Sequence, residues 1–427
     1  MTPSPQSAQV VAPASAPTST PRSRSDQVHR DGRFFRWTLG TRWWIGATLG
    51  YLLSRLLALL AFMVARALVK TPDVWDFQPD SVWKVMTQGW DGVWYRRIAE
   101  HGYPDVIPLG AEGLPEQTAL PFYPLFPFTS RLLSFLPGVS APGAGVVISL
   151  VCGLLSVFLV RRLILLRTPD LVTRRPWFVF TAPLVFAFFP SAGVFSANYS
   201  EGLALVLLLA ALLAVMQDRL WSAAILILLL GLVRPLAVPL GLVVLARHTP
   251  EAWRVLRTER RVPWRQVRAV SLLGVTSVIS VLLWPVITAL LTGRSDALST
   301  AQGAWPRPSG SDPSQPLSVL AAETGSTWSA ALVTVCMLVP LTMFTLRSVI
   351  GKVGVEVVAW TSGYLLFLLV TVGPSNSTLR YFLLAVGLNL LLAAGVRRGW
   401  QAAVLLTALG TLQFLWIVRC WSGGLTP

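Results

Sequence analysis

Apolar stretches long enough to cross a bilayer recur from Trp43 almost to the C-terminus, and this recurrence restricts the chain more than any other feature. After a first run from Trp43 to Val69, hydrophobic segments follow at roughly 143–160, 177–190, 199–216, 221–247, 269–291, 329–347, 354–372, 381–396 and 400–418. At a rise of about 1.5 Å per residue, most of them match a hydrocarbon layer of ~30 Å with some tilt. The chain therefore reads as all-α, a polytopic integral membrane protein. A composition 54% hydrophobic and only 13% charged agrees.

Where the charge sits decides what it means. A formal net charge of +16 would suit a nucleic-acid partner, but the arginines fall in short loops between apolar runs, and no long basic stripe or RNA-binding signature is present. Membrane topology explains the charge instead, so no nucleic-acid partner is expected. Cys152, Cys336 and Cys420 are scattered, with no CxxC pair and no histidine at ligand spacing, which implies neither a disulfide framework nor a structural zinc site. Residues 1–42 are rich in Pro, Ser, Ala and Thr and then in Arg, without the apolar core of a signal peptide. A disordered cytoplasmic tail is expected there, followed by a single transmembrane domain over 43–427.

Arginine-rich loops at 161–176 and 247–268 should also lie inside, and that requirement creates a parity problem. Segment 221–247 begins inside, after Asp218 and Arg219, and must end inside, so it is not one crossing. Arg234-Pro235 lies at its middle, where a straight helix would carry a charge near the bilayer centre and lose a backbone hydrogen bond. The expectation is a re-entrant pair of half-helices, about 221–233 and 235–247, turning at Arg234 against protein or a wet cavity. About nine full spans plus this pair then place the loops 70–142, 190–200, 292–328 and 373–381 on the outer face of a plasma membrane. Loop 70–142 carries eight carboxylates against five basic residues, a sign opposite to that of the inner loops.

That large loop is also where chemistry is expected. Asp91 follows Trp90 and stands just before an amphipathic stretch, Val93 to His101, that contains Trp94 and Tyr95. Aromatic rings cover the C–H faces of a sugar while a carboxylate accepts a hydroxyl proton, which is general-base work. The same aspartate also suits the N-cap of a short helix, and the two roles can coexist. Glu116 precedes the strip PFYPLFP, in which Tyr123 sits among three prolines that either shape a pocket edge or lead into the next helix. His101 has no second histidine nearby, so no metal ligands are assigned. Arg55 and Arg234 lie at depths where an unpaired charge is expensive. A lipid phosphate matches their donor geometry, and an intramembrane ion pair with Glu201 or another carboxylate is the alternative. Glu201 opens the span 199–216, where capping is a sufficient reason for it, while Arg380-Tyr381 is placed to reach a headgroup or to anchor the interface.

The combination WDGVWYRRIAEHGYP, EQTALPFYPLFP, FFPSAGVFSANYSEGLALVLLL and Arg234-Pro235, with RYF at 380–382 in support, resembles the PIG-V type mannosyltransferases. In eukaryotes these add the second mannose of the glycosylphosphatidylinositol anchor, and they have bacterial relatives. The resemblance implies a GT-C fold, an active site on the outer face and a polyprenyl-phosphate sugar as donor. It maps the essential acidic residue of the first outer loop onto Asp91 and marks Glu116 and Glu201 as matching positions. No DxD pair stands at Trp90-Asp91, so no cofactor is firmly implied and dependence on a divalent metal is left open. The implied reaction is transfer of mannose with inversion to an acceptor hydroxyl. Heavy use of Arg over Lys looks like a high-GC bacterium, which turns the acceptor toward an envelope glycolipid, a polysaccharide or a secreted protein. A transferase for arabinofuranose or another sugar is the near alternative, and a lipid-linked-sugar flippase or transporter the distant one.

Overall fold

The computed structural model describes residues 42–69, 79–167, 174–305, 354–371 and 377–422. The expected tail, apart from Arg42, and the apolar segment 329–347 lie outside the described residues. In chain order the helices are α1 (Trp43–Leu68), α2 (Val82–Gln88), α3 (Asp91–His101), α4 (Leu125–Leu133), α5 (Ala141–Arg167) and α6 (Pro176–Phe188). A 3-10 turn over Pro190–Ser196 leads to α7 (Glu201–Met216), α8 (Leu220–Gly231), α9 (Ala237–Thr258), α10 (Trp264–Thr292) and α11 (Ala297–Gly303). The described chain resumes with α12 (Val355–Thr371), α13 (Thr378–Tyr381), a 3-10 turn over Phe382–Leu384, α14 (Val386–Ala394) and α15 (Gly399–Trp421). Among the described residues the sole β feature is an isolated bridge between Leu109 and Pro115.

Four helices, α1, α5, α10 and α15, are long and apolar enough to cross a membrane; a fifth span results if α6 and the following 3-10 turn, bent by 70°, count as one. This is a multi-pass membrane protein, although length alone does not recover about nine spans among the described residues. The apolar runs are cut by local chemistry. Pro190 follows the end of α6, and the run 381–396 is divided between α13, a 3-10 turn and α14. The two basic loops differ from expectation in the opposite sense: α5 continues to Arg167 and α9 to Thr258. Arginine propagates a helix well, so the backbone ladder outlasts the apolar run.

Helix α7 is apolar all round and buried along most of its length, the pattern of a central helix packed on every side. By contrast α1 turns Leu49, Leu52, Leu53, Leu56 and Leu60 outward, as a helix bordering lipid would. The inner side of α1 holds Arg55, whose Nη2 donates to the Ala187 carbonyl (2.7 Å) and whose Nη1 donates to the Ala192 carbonyl (2.6 Å) and Ser196 Oγ (3.1 Å). The Ala187 carbonyl lies in the last turn of α6 and has no intrahelical donor there, and Arg55 and Gln413 Nε2 (3.3 Å) satisfy it together.

The chain breaks at Arg234-Pro235, between Gly231 and Ala237. Gly231 allows α8 to lie close to α10, since a Cβ there would stand 1.9 Å from Ser280 Oγ. Both legs return to one level: Arg247 of α9 reaches Asp218, just before α8. The tip is level with the first residue of α7, because Arg234 meets Glu201. It also receives the segment between α1 and α5, as Leu125 N–H donates to the Leu232 carbonyl at 2.9 Å.

Candidate active site

Four charged side chains from distant parts of the chain form one line. Asp91 Oδ2 accepts from Arg380 Nη1 at 2.6 Å, Arg380 Nε lies 3.1 Å from Glu201 Oε1, and the same Glu201 oxygen accepts from Arg234 Nη2 at 2.5 Å. Two carboxylates and two guanidiniums balance, which is how charges persist where water is scarce. Exposure differs along the line: the Glu201 side chain is 0% exposed, that of Arg380 6%, Arg234 15% and Asp91 23%. The ends of the line are thus open and its middle is closed.

Local structure explains why Asp91 points there. Trp90 has φ 52, outside the usual region for a non-glycine residue, and its indole N–H donates to the Cys420 carbonyl at 3.1 Å. This tight turn makes Trp90 the cap position of α3 and Asp91 its first residue. Asp91 consequently does not cap the helix with its side chain; it complements the N-terminal dipole and gives Oδ2 to Arg380. Gly92 follows because a Cβ would lie 3.0 Å from the Thr87 carbonyl. Asn198 Nδ2 fastens this corner by donating to the Thr87 and Gly92 carbonyls at 3.2 and 3.1 Å.

The residues before α7 supply the floor. Tyr199 Oη accepts the Asp91 backbone N–H at 3.3 Å, and the Tyr199 ring lies under Arg380, 5.4 Å from its guanidinium carbon. Ser200 Oγ accepts from Arg234 Nε at 3.3 Å and shares a 2.8 Å hydrogen bond with the Tyr95 hydroxyl. Burial pushes the Tyr95 phenol up, so it stays protonated. Tyr381 sits between the two arginines, its centroid 5.6 Å from the guanidinium carbon of Arg234 and 5.3 Å from that of Arg380. Glu201 does more than cap a helix: it joins two arginines, and its Oε2 is buried without a hydrogen-bond partner among the described residues.

The other sequence candidates divide. Trp94 has Phe122 stacked on it at 5.8 Å, Trp305 at 5.3 Å and the Arg97 guanidinium 4.9 Å from its centroid, so its faces are largely taken by protein. Tyr123 is buried with its centroid 6.0 Å from that of Trp284, a packing role. Glu116 is exposed beside the Leu109–Pro115 bridge and makes none of the contacts of the charged line. Sequence reasoning missed Asn198, Tyr199 and Ser200 as site builders. Their signal was a run of polar side chains, NYSE, directly ahead of an unbroken apolar helix. Among the described residues no three His, Cys, Asp or Glu side chains converge as protein ligands of a metal ion.

A family model described as mannosyltransferase (PIG-V) matches residues 48–282, more than half of the chain and three of the four charged residues. The chain belongs to the PIG-V mannosyltransferase family. It is accordingly a glycosyltransferase embedded in a membrane, and Asp91, Glu201 and Arg234 lie in its family region. Among solved structures, ArnT from Cupriavidus metallidurans in the apo state is similar at 11% identity and a TM-score of 0.43, over 88% of this chain and 76% of that one. No curated protein matches.

Proposed function

We propose that this glycosyltransferase takes mannose from a polyprenyl phosphate and transfers it, with inversion, to a hydroxyl of a cell-envelope glycolipid, polysaccharide or protein on the outer membrane face. The observation that carries the reading is the asymmetric line of charges. Asp91 Oδ1 and Arg234 Nη1, at its two open ends, have no hydrogen-bond partner among the described residues. In this reading Asp91 Oδ1 takes the acceptor proton as the acceptor oxygen bonds to the sugar C1. The bond from C1 to the phosphate oxygen breaks, its electron pair leaves with the lipid phosphate, and Arg234 Nη1 stabilises the charge that develops there. Arg380 holds Asp91 in place, and Glu201 holds both arginines. The N-terminus is inside, and a GT-C arrangement of about nine spans plus the Arg234 hairpin sets the donor phosphate at the membrane boundary, with its tail among lipid.

The test is transfer by purified protein in nanodiscs supplied with labelled polyprenyl-phosphate mannose and an acceptor extract. Label should appear in acceptor from the lipid donor and not from a nucleotide sugar. Movement of the intact lipid donor across the bilayer without transfer would identify a flippase and defeat the proposal. Transfer of arabinofuranose but not mannose would retain the mechanism and change the donor.

A further inference from the structure

A second group of charges ties the feet of the hairpin that carries Arg234 at its tip. Arg247 of α9 donates through Nη2 to Asp218 at 3.3 and 3.4 Å and to the Met216 carbonyl at 3.3 Å, while its Nη1 reaches Glu356 of α12 at 3.4 Å. Arg265, at the start of α10, holds the same Asp218 at 2.8 Å. Asp218 has φ 55, a left-handed conformation that lets the chain reverse between α7 and α8. Glu356 is fully buried. A cavity of about 420 Å³ opens beside them, lined by Asp218, Arg247, His248, Arg265 and Glu356 among others.

The placement of these bonds relative to the catalytic line gives them a role. Helix α7 is joined to the hairpin at both of its ends, by Glu201 to Arg234 at one and by the Met216 carbonyl to Arg247 at the other. Asp218, in the turn that follows, adds to the second joint. A continuous helix does not stretch, so the lower joint fixes how far the tip can slide along α7. We propose that Arg247 is a positioning residue that sets the height of Arg234 beside Glu201, through Asp218 and Glu356; the kinetic part of this rests on the role proposed for Arg234 at the donor phosphate. A bond that served stability alone would leave the tip in place. A positioning bond moves it.

Arg247→Gln removes one cation from beside Asp218, which keeps Arg265, and from beside the buried Glu356, so the paired variant Arg247→Gln with Glu356→Gln is the cleaner probe, because both charges of that bond go at once. In the paired variant the amides of Leu232, Val233, Arg234 and Leu236 should exchange hydrogen about ten-fold faster, the size of effect expected between coupled members of one network. The donor KM should rise by a similar factor while the acceptor KM is unchanged, and Arg247→Lys should recover part of the loss. Unchanged exchange at those amides in a folded paired variant overturns the proposal, whatever the kinetics. Faster exchange with an unchanged donor KM upholds the positioning and instead counts against Arg234 as the donor contact.

Discussion

Two groups of buried arginine show how one residue type is used in opposite ways. Arg55 gives its donors to two carbonyls and a serine hydroxyl at the bend after α6, and its side chain faces the inside of the bundle. Arg234 and Arg380 share one carboxylate, Glu201, and the line they belong to is exposed at both ends. A guanidinium whose donors are spread over backbone acceptors repairs a helix break. One held by carboxylates, with a donor left over, is in our proposal set for an anion that arrives later.

The sharpest way to break that contrast is at the open end of the line. Asp91→Asn should lower kcat about 100- to 10,000-fold, the range of general-base catalysis, in a variant that still folds in detergent; near-normal turnover would remove Asp91 from the chemistry. Glu201→Gln, which loosens both arginines at once, should cost about 100-fold in kcat/KM, near 3 kcal/mol, as expected for a charge-assisted network that loses its shared anion. Arg55→Met should act on the other side of the comparison. It removes a charged donor from the Ala187 and Ala192 carbonyls, leaving Ala187 with Gln413 Nε2, and should cost about 2 kcal/mol of stability with donor and acceptor KM unchanged, read by thermal unfolding and steady-state kinetics. Arg234→Gln should raise the donor KM about ten-fold, the loss of one charge-assisted contact, without altering the acceptor KM; the reverse pattern would assign it to the acceptor. Glu116→Gln should change either rate by less than about two-fold, as surface substitutions do.

Local chemistry explains which features were legible in the chain. The break at Arg234-Pro235 was readable because proline and a mid-segment charge both oppose a continuous span. Asp91 stood out as a carboxylate among aromatic residues, and it opens α3, whose end at His101 is the end of the amphipathic stretch. The roles of Trp94 and Tyr123 were not readable, since an aromatic side chain looks the same whether a sugar or another ring covers it. The span count is recovered only to four or five among the described residues, since hydropathy marks an apolar run but not the bend that ends it at Pro190.

The sequence by itself determined a multi-pass helical membrane protein, the break in the hairpin and the family, because burial of apolar length and local turn chemistry depend on neighbouring residues. Tertiary structure decided the partnerships. Arg380 reaches Asp91 across 289 residues, and Glu201 becomes the shared anion of two arginines rather than a helix cap. No spacing encodes such a meeting. It follows from helices of fixed rise packing side by side, and the high cost of an unpaired charge in a dry interior then selects the pairs that survive.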